Sequence, residues 1–162
     1  MTDILRKVSK KLHKNKLTLV TAESCTGGWV AKKMTDLAAS SAIFDRGYVT
    51  YSNQAKHDML SVSLKTIETY GAVSEQVAIE MVVGALKNSQ ADIALSISGV
   101  AGPGGGTLKK PVGMVCFGWV KRDNQPISST VYFDGDRDSV RYQATEYALD
   151  GINKLIDKVE HN

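Results

Sequence analysis

The strongest constraint in this chain is an apolar, β-branched run, Leu17 to Thr21, that passes through Ala22-Glu23-Ser24-Cys25-Thr26-Gly27-Gly28 straight into an amphipathic helical pattern from Trp29 to Ala38. A strand that turns sharply into a helix accounts for both periodicities across so short a joint. The side chains of such a turn stand beside the helix's first free N–H groups, where negative charge is stabilised. A nucleophilic hydroxyl and the oxyanion it creates can both be housed there. Ser24, Cys25 and Thr26 sit in the turn, and Gly27 and Gly28 let another group approach the backbone closely. The competing reading of the same residues is an ordinary helix cap supplied by Ser24 or Thr26.

The rest of the chain continues the alternation. Met1 to Lys16 reads as a charged helix with Ile4, Leu5, Val8 and Leu12 on one face, and Arg46 to Ser52 as a second strand. Asn53 is placed to cap a short helix through Leu60 that carries Lys56 and His57 in its first turn. A helix capped by Ser74 has Val77, Ala78, Met81, Val82, Ala85 and Leu86 on its apolar face. Ile79 and Val83 spread that hydrophobicity round the cylinder, so core or a second subunit is expected to cover most sides. Asp92 to Ser98 is a strand, Val112 to Val120 and Ile127 to Phe133 form a hairpin, and a last helix runs from about Asp136. Strands alternating with helices and finished by a hairpin predict an α/β fold, a three-layer α/β/α sandwich around a mixed sheet, as one domain over residues 1–162.

Composition removes several classes of function. Twenty Lys and Arg against 17 Asp and Glu give a net charge of +3 with the basic residues scattered, which argues against nucleic acid as a partner. The uncharged segment from Ile93 to Leu108 is broken by glycines and a proline, so no membrane association is expected. The charged first helix lacks a signal peptide's apolar core and points to the cytoplasm. Cys25 and Cys116 form no paired motif, and with His13, His57 and His161 they give no metal-ligand spacing, so neither a metal nor another cofactor is expected.

Three clusters can carry chemistry. The first is Ser24 with Tyr51 and Lys56. A serine hydroxyl is a poor nucleophile until a base accepts its proton, and without a suitable histidine a desolvated lysine can do so, provided burial or a cationic neighbour keeps it neutral. Tyr51 can relay the proton or hold the hydroxyl. Cys25 is the rival nucleophile, because a helix N-terminus lowers a thiol's pKa. His57 is the rival base, about 100° round the same helix from Lys56. The second cluster is the glycine-rich loop from Gly99 to Thr107, whose N–H groups at Gly102, Gly104 and Gly105 can wrap a phosphate or ribose. It matches neither a Walker A loop nor a dinucleotide fingerprint, and it also reads as a flexible connection. The third is Arg137 with Arg141, four apart at a helix start, able to grip a phosphate together or to pair with Asp134, Asp138 or Glu146.

Taken as an ordered set, Thr21 to Gly28, Tyr48-Val49-Thr50-Tyr51-Ser52-Asn53 with Lys56, Gly71-Ala72-Val73-Ser74, Ser96 to Pro103, Lys110-Pro111-Val112-Gly113 and Gly135-Asp136-Arg137 resemble the CinA C-terminal domain family. The match is closest to its stand-alone members, the bacterial nicotinamide-nucleotide amidases, and covers nearly the whole chain. The resemblance implies metal-free hydrolysis of nicotinamide mononucleotide to nicotinic acid mononucleotide and ammonia, a step in pyridine nucleotide recycling. It also implies that the dinucleotide-acting domain of longer members is absent. Its active-site positions fall on Ser24, Tyr51 and Lys56. Oxyanion and substrate contacts are expected around them from Cys25, Thr26, Gly27, Gly28, Gly99, Gly102, Gly104, Gly105, Thr107, Arg137 and Arg141. The expected partner is a small-molecule nucleotide, and the expected assembly a homo-oligomer, dimer or higher. The alternative is a non-catalytic nucleotide-binding module of the same fold. One departure stands out: Gly104-Gly105-Gly106 occupies a place where related loops often carry an acidic residue.

Overall fold

A computed structural model describes residues 1–161. The elements in order are α1 (Asp3–Asn15), β1 (Leu19–Glu23), α2 (Trp29–Thr35), a 3-10 turn (Ser40–Ala42), β2 (Phe44–Val49), α3 (Asn53–Leu60), α4 (Leu64–Tyr70), α5 (Glu75–Lys87), β3 (Ile93–Gly99), β4 (Met114–Lys121), β5 (Ile127–Tyr132) and α6 (Arg137–Glu160). The strands form one five-stranded mixed sheet in the order β2-β1-β3-β4-β5. β2, β1 and β3 run parallel, whereas β4 and β5 are antiparallel. In the β1–β2 ladder Leu19 faces Phe44 and Val20 faces Arg46, so Asp45 bulges out and resets the alignment to Glu23 opposite Val49.

Alternation along the strands decides which helix covers which face. Leu19 of β1, Ile93, Leu95 and Ile97 of β3, and Phe117 and Trp119 of β4 pack with residues of α1, α2 and α6. Val20, Ala22, Ala94 and Val120 pack with residues of α3, α4 and α5 on the other side. Leu19, Ile93, Leu95 and Ile97 are each 0% exposed, a burial that stabilises by about 1.5–3 kcal/mol per side chain. The second face uses small residues, and α5 lies close to the sheet as a result. Ser96 Oγ donates to the Ala78 carbonyl at 2.6 Å, and a Cβ on Gly118 would come within 2.8 Å of the same oxygen.

The three layers, the hairpin, the cap at Ser74 and the start of the last helix about Asp136 follow the sequence expectations. Several boundaries do not. α2 stops at Thr35 rather than Ala38, and the chain turns into the 3-10 segment through Ala39 in the left-handed region. β2 runs from Phe44 to Val49, which releases Thr50 and Tyr51 from the sheet. The cap of α3 is Ser52, whose hydroxyl accepts from the Ala55 amide at 3.0 Å, and Asn53 is the helix's first residue. The hairpin's first strand starts at Met114 instead of Val112. Helix α4, capped by Ser63, has no counterpart in the sequence reading. Within the chain α5 is covered on fewer sides than its composition suggests, since Val83 is 44% exposed. Among the described residues no helix is long and apolar enough to cross a membrane.

Candidate active site

The site forms where β1 leaves the sheet. The Ser24 amide extends the ladder towards β3 by donating to the Ile97 carbonyl at 3.0 Å, and the Thr50 amide extends it towards β2 by donating to the Glu23 carbonyl at 2.9 Å. Two residues after Thr50 the Ser52 cap starts α3, which turns Lys56 inward until only 1% of it is exposed. Lys56 Nζ lies 2.9 Å from Ser24 Oγ, 2.9 Å from the Thr50 carbonyl and 3.2 Å from the Tyr51 carbonyl. An ammonium could donate to all three. A neutral amine could give its two N–H bonds to the carbonyls and leave its lone pair for the serine proton. Burial lowers the Lys56 pKa below its ordinary 10.5, which favours the neutral form.

A cavity of about 490 Å³ opens over this pair, between the Ser24 turn, the start of α3, the Ala72-Val73 link before α5 and the glycine-rich loop after β3. It lies at the carboxyl ends of parallel strands, where open α/β sheets bind their ligands. Arg137, the first residue of α6, borders it and donates to the Gly102 carbonyl at 2.7 Å and to the Tyr51 hydroxyl at 3.2 Å. The basic residues lining the cavity are Lys56 and Arg137, with no carboxylate among the lining, and the Arg137 guanidinium suits it to an anion.

The start of α2 is arranged differently from the sequence expectation. Its first donors are not free: the buried Glu23 carboxylate accepts from the Thr26 hydroxyl at 2.7 Å and from the Val30 and Ala31 amides at 3.0 Å each. Among the described residues the amides of Cys25, Thr26 and Gly28 make no hydrogen bond within the chain, and of these three residues Cys25 lines the cavity. The Cys25 thiol is pushed up to about 12, by burial first and by the Glu23 charge among the lesser causes, so it stays protonated.

Residues 1–156 match the CinA C-terminal domain family. This chain belongs to that family. It is 52% identical over 149 residues to the nicotinamide-nucleotide amidohydrolase PncC of Escherichia coli K12, covering 92% of this chain and 90% of the relative. The crystal structure of the competence/damage inducible protein CihA from Agrobacterium tumefaciens is 41% identical, covers 96% of both chains and superposes with a TM-score of 0.91. A CinA superfamily protein from Klebsiella pneumoniae, 37% identical, covers 96% of this chain and 97% of its own, with a TM-score of 0.92.

In this member of the CinA C-terminal domain family the expected site residues divide. Ser24, Cys25, Tyr51, Lys56, Gly99, Gly102, Gly104, Gly105 and Arg137 all line the cavity. Five others do not. Thr26 is buried with its hydroxyl on Glu23. Gly27 and Gly28 take φ of 60° and 98° to swing the chain into α2. Thr107 accepts from the Lys110 amide on the far side of the loop. Arg141, one helical turn beyond Arg137, faces the Ser24 turn from behind and donates to the carbonyls of Cys25 at 3.0 Å and Thr26 at 3.3 Å. The expected phosphate grip therefore separates into one arginine at the cavity and one that braces the turn. Tyr51 meets Ser24 and Lys56 through its backbone carbonyl, while its 62% exposed side chain stands on the rim. His57 turns away, with Nδ1 2.9 Å from the Val62 carbonyl. The sequence reading missed Glu23, the Thr50 carbonyl and Ser98, whose hydroxyl fixes the Ala72 carbonyl at 2.8 Å beside the cavity. Glu23 carried a usable signal, a carboxylate just ahead of a helix start.

Proposed function

We propose that this chain hydrolyses the carboxamide of nicotinamide mononucleotide to nicotinic acid mononucleotide and ammonia, with Ser24 as nucleophile and Lys56 as its base. The observation that carries this reading is the 2.9 Å contact between Lys56 Nζ and Ser24 Oγ beneath an anion-suited cavity. The name of the E. coli relative supports the choice of substrate.

Lys56 takes the Ser24 proton as Oγ bonds to the carboxamide carbon. The Cys25 amide, at the cavity wall, receives the oxyanion, where such a donor is worth about 3–4 kcal/mol. Lys56 then returns its proton to the leaving nitrogen, the C–N bond breaks, and ammonia departs from an acylated Ser24. Water, deprotonated by the same amine, attacks the ester carbon. The carboxylate leaves as Ser24 recovers a proton from Lys56. The Thr50 and Tyr51 carbonyls hold the amine on line throughout, and Arg137 binds the substrate's phosphate. Water is the only co-reactant that this sequence of steps consumes.

Ammonia release from nicotinamide mononucleotide by the wild type and by Ser24→Ala tests the reading. Wild-type turnover in the variant removes Ser24 as nucleophile, and no release by the wild type removes the reaction. The reading places this activity in the cytoplasm and in a homo-oligomer. Light scattering at assay concentration checks the oligomer.

A further inference from the structure

We propose that Glu23 is the positioning residue of this site, setting the turn that carries Ser24 and keeping the serine, rather than the adjacent thiol, as the nucleophile. The proposal rests on the reaction described above. The N-cap position of helix α2 is Gly28, which has no side chain to cap it. Glu23 supplies the missing acceptors from the end of β1, across the turn. Its two carboxylate oxygens take the Thr26 hydroxyl and the Val30 and Ala31 amides, and it is 1% exposed. The strand end and the helix start are thus joined through one side chain, with Ser24 and Cys25 in the loop between them. The main chain of Glu23 serves the other partner. Its carbonyl holds the Thr50 amide, and the Thr50 carbonyl in turn holds Lys56 Nζ.

The same carboxylate answers a chemical problem. A thiol is intrinsically the better nucleophile, and unsatisfied N–H groups at a helix start promote its ionisation. A thiolate at Cys25 would also hold Lys56 in its charged form and remove the base. The charged groups facing Cys25 are Glu23 from β1, Arg141 from α6 and Lys56 from α3, and Glu23 alone among them opposes ionisation of the thiol. By occupying the Val30 and Ala31 amides with an anion, Glu23 takes up helix-start donors that would otherwise favour a thiolate, and its charge adds to the burial that keeps Cys25 protonated.

Two variants and two readouts test the proposal. Glu23→Gln keeps the shape and removes the charge; Thr26→Val keeps the charge and removes one donor. Steady-state kinetics on nicotinamide mononucleotide should show Glu23→Gln with kcat lower by about 10²-fold and KM little changed, because the groups that contact substrate are untouched. The pH dependence of Cys25 alkylation by iodoacetamide, followed by mass spectrometry, should shift to lower pH in the same variant. Thr26→Val should lose kcat several-fold and leave the alkylation profile in place. An unchanged kcat, or an unchanged alkylation profile, in folded Glu23→Gln overturns the proposal. If circular dichroism shows Glu23→Gln unfolded, wild-type kcat in Thr26→Val overturns it instead. Alkylation needs no substrate, so a wild type that releases no ammonia refutes the reaction while the thiol readout still reports on Glu23.

Discussion

Replacing Lys56 by methionine separates its role in packing from its proposed role as a base. The lysine is 1% exposed and methionine has a similar shape and volume, so the fold is expected to persist. What disappears is the amine 2.9 Å from Ser24 Oγ. Loss of a positioned general base costs about 10²–10⁴ in rate, or about 2.7–5.4 kcal/mol of barrier. The pH dependence carries a second signature. The folded pKa of Lys56 lies below 10.5, so the neutral fraction and the wild-type rate climb with pH and level off above that lowered value. Between the lowered value and 10.5 the unfolded chain binds a proton that the folded chain has shed, so wild-type stability rises with pH across this window. The penalty for burying the charge is complete below the folded pKa and gone above the unfolded one. Lys56→Met should lack both the rate limb and this rise in stability. Ammonia release and denaturant unfolding, measured in parallel from neutral to strongly alkaline pH, check both. Wild-type turnover by Lys56→Met at alkaline pH would refute the assignment.

Arg137→Ala should raise KM for the mononucleotide by about 10- to 100-fold, as expected for loss of hydrogen bonds to a charged group. The corresponding nucleoside, which lacks the phosphate, should be affected far less, and an equal loss on both substrates would remove Arg137 from phosphate binding. Gly84→Ala on α5 would drive a methyl into the Leu60 carbonyl at the end of α3. It should cost about 1–3 kcal/mol, at about 2–4 °C of Tm per kcal/mol by calorimetry, and lower kcat as the helix bearing Lys56 shifts. With its thiol at about 12, Cys25 should be only about 10⁻⁴ ionised near pH 8. Iodoacetamide there should leave it largely unlabelled by mass spectrometry, and rapid labelling that tracks loss of activity would restore it as the nucleophile.

Much of this site was legible in the sequence because its parts are local. The strand into Ser24, the short helix α3 that carries Lys56 and the glycine-rich exit from β3 each announce themselves within a few residues, although the cap of α3 is Ser52 where the sequence reading had Asn53. What was not legible depends on where elements cross. Arg137 and Arg141 share a helix face, yet one full turn separates a residue at the cavity mouth from one beneath the Ser24 turn, and no spacing rule distinguishes them. The cap of α2 comes from Glu23, on the far side of the turn from its helix, where a search for serine or threonine at the N-cap position does not look. Helix α4 escaped because Ile67 is its one buried residue, too little for a periodic pattern. Tyr51 acts through its carbonyl, and a backbone atom leaves no trace in the choice of side chain.

The bulge at Asp45 aligns the edge strand so that Glu23 lies opposite Val49. A slip of one residue would slide β2, with Thr50 and Lys56 in train, by about 3.3 Å along β1, a displacement larger than the 2.9 Å gap between amine and hydroxyl. Turnover is therefore a gauge of strand alignment. A refolding chain should release ammonia only once β2 sits in register on β1, whatever helical signal has already returned.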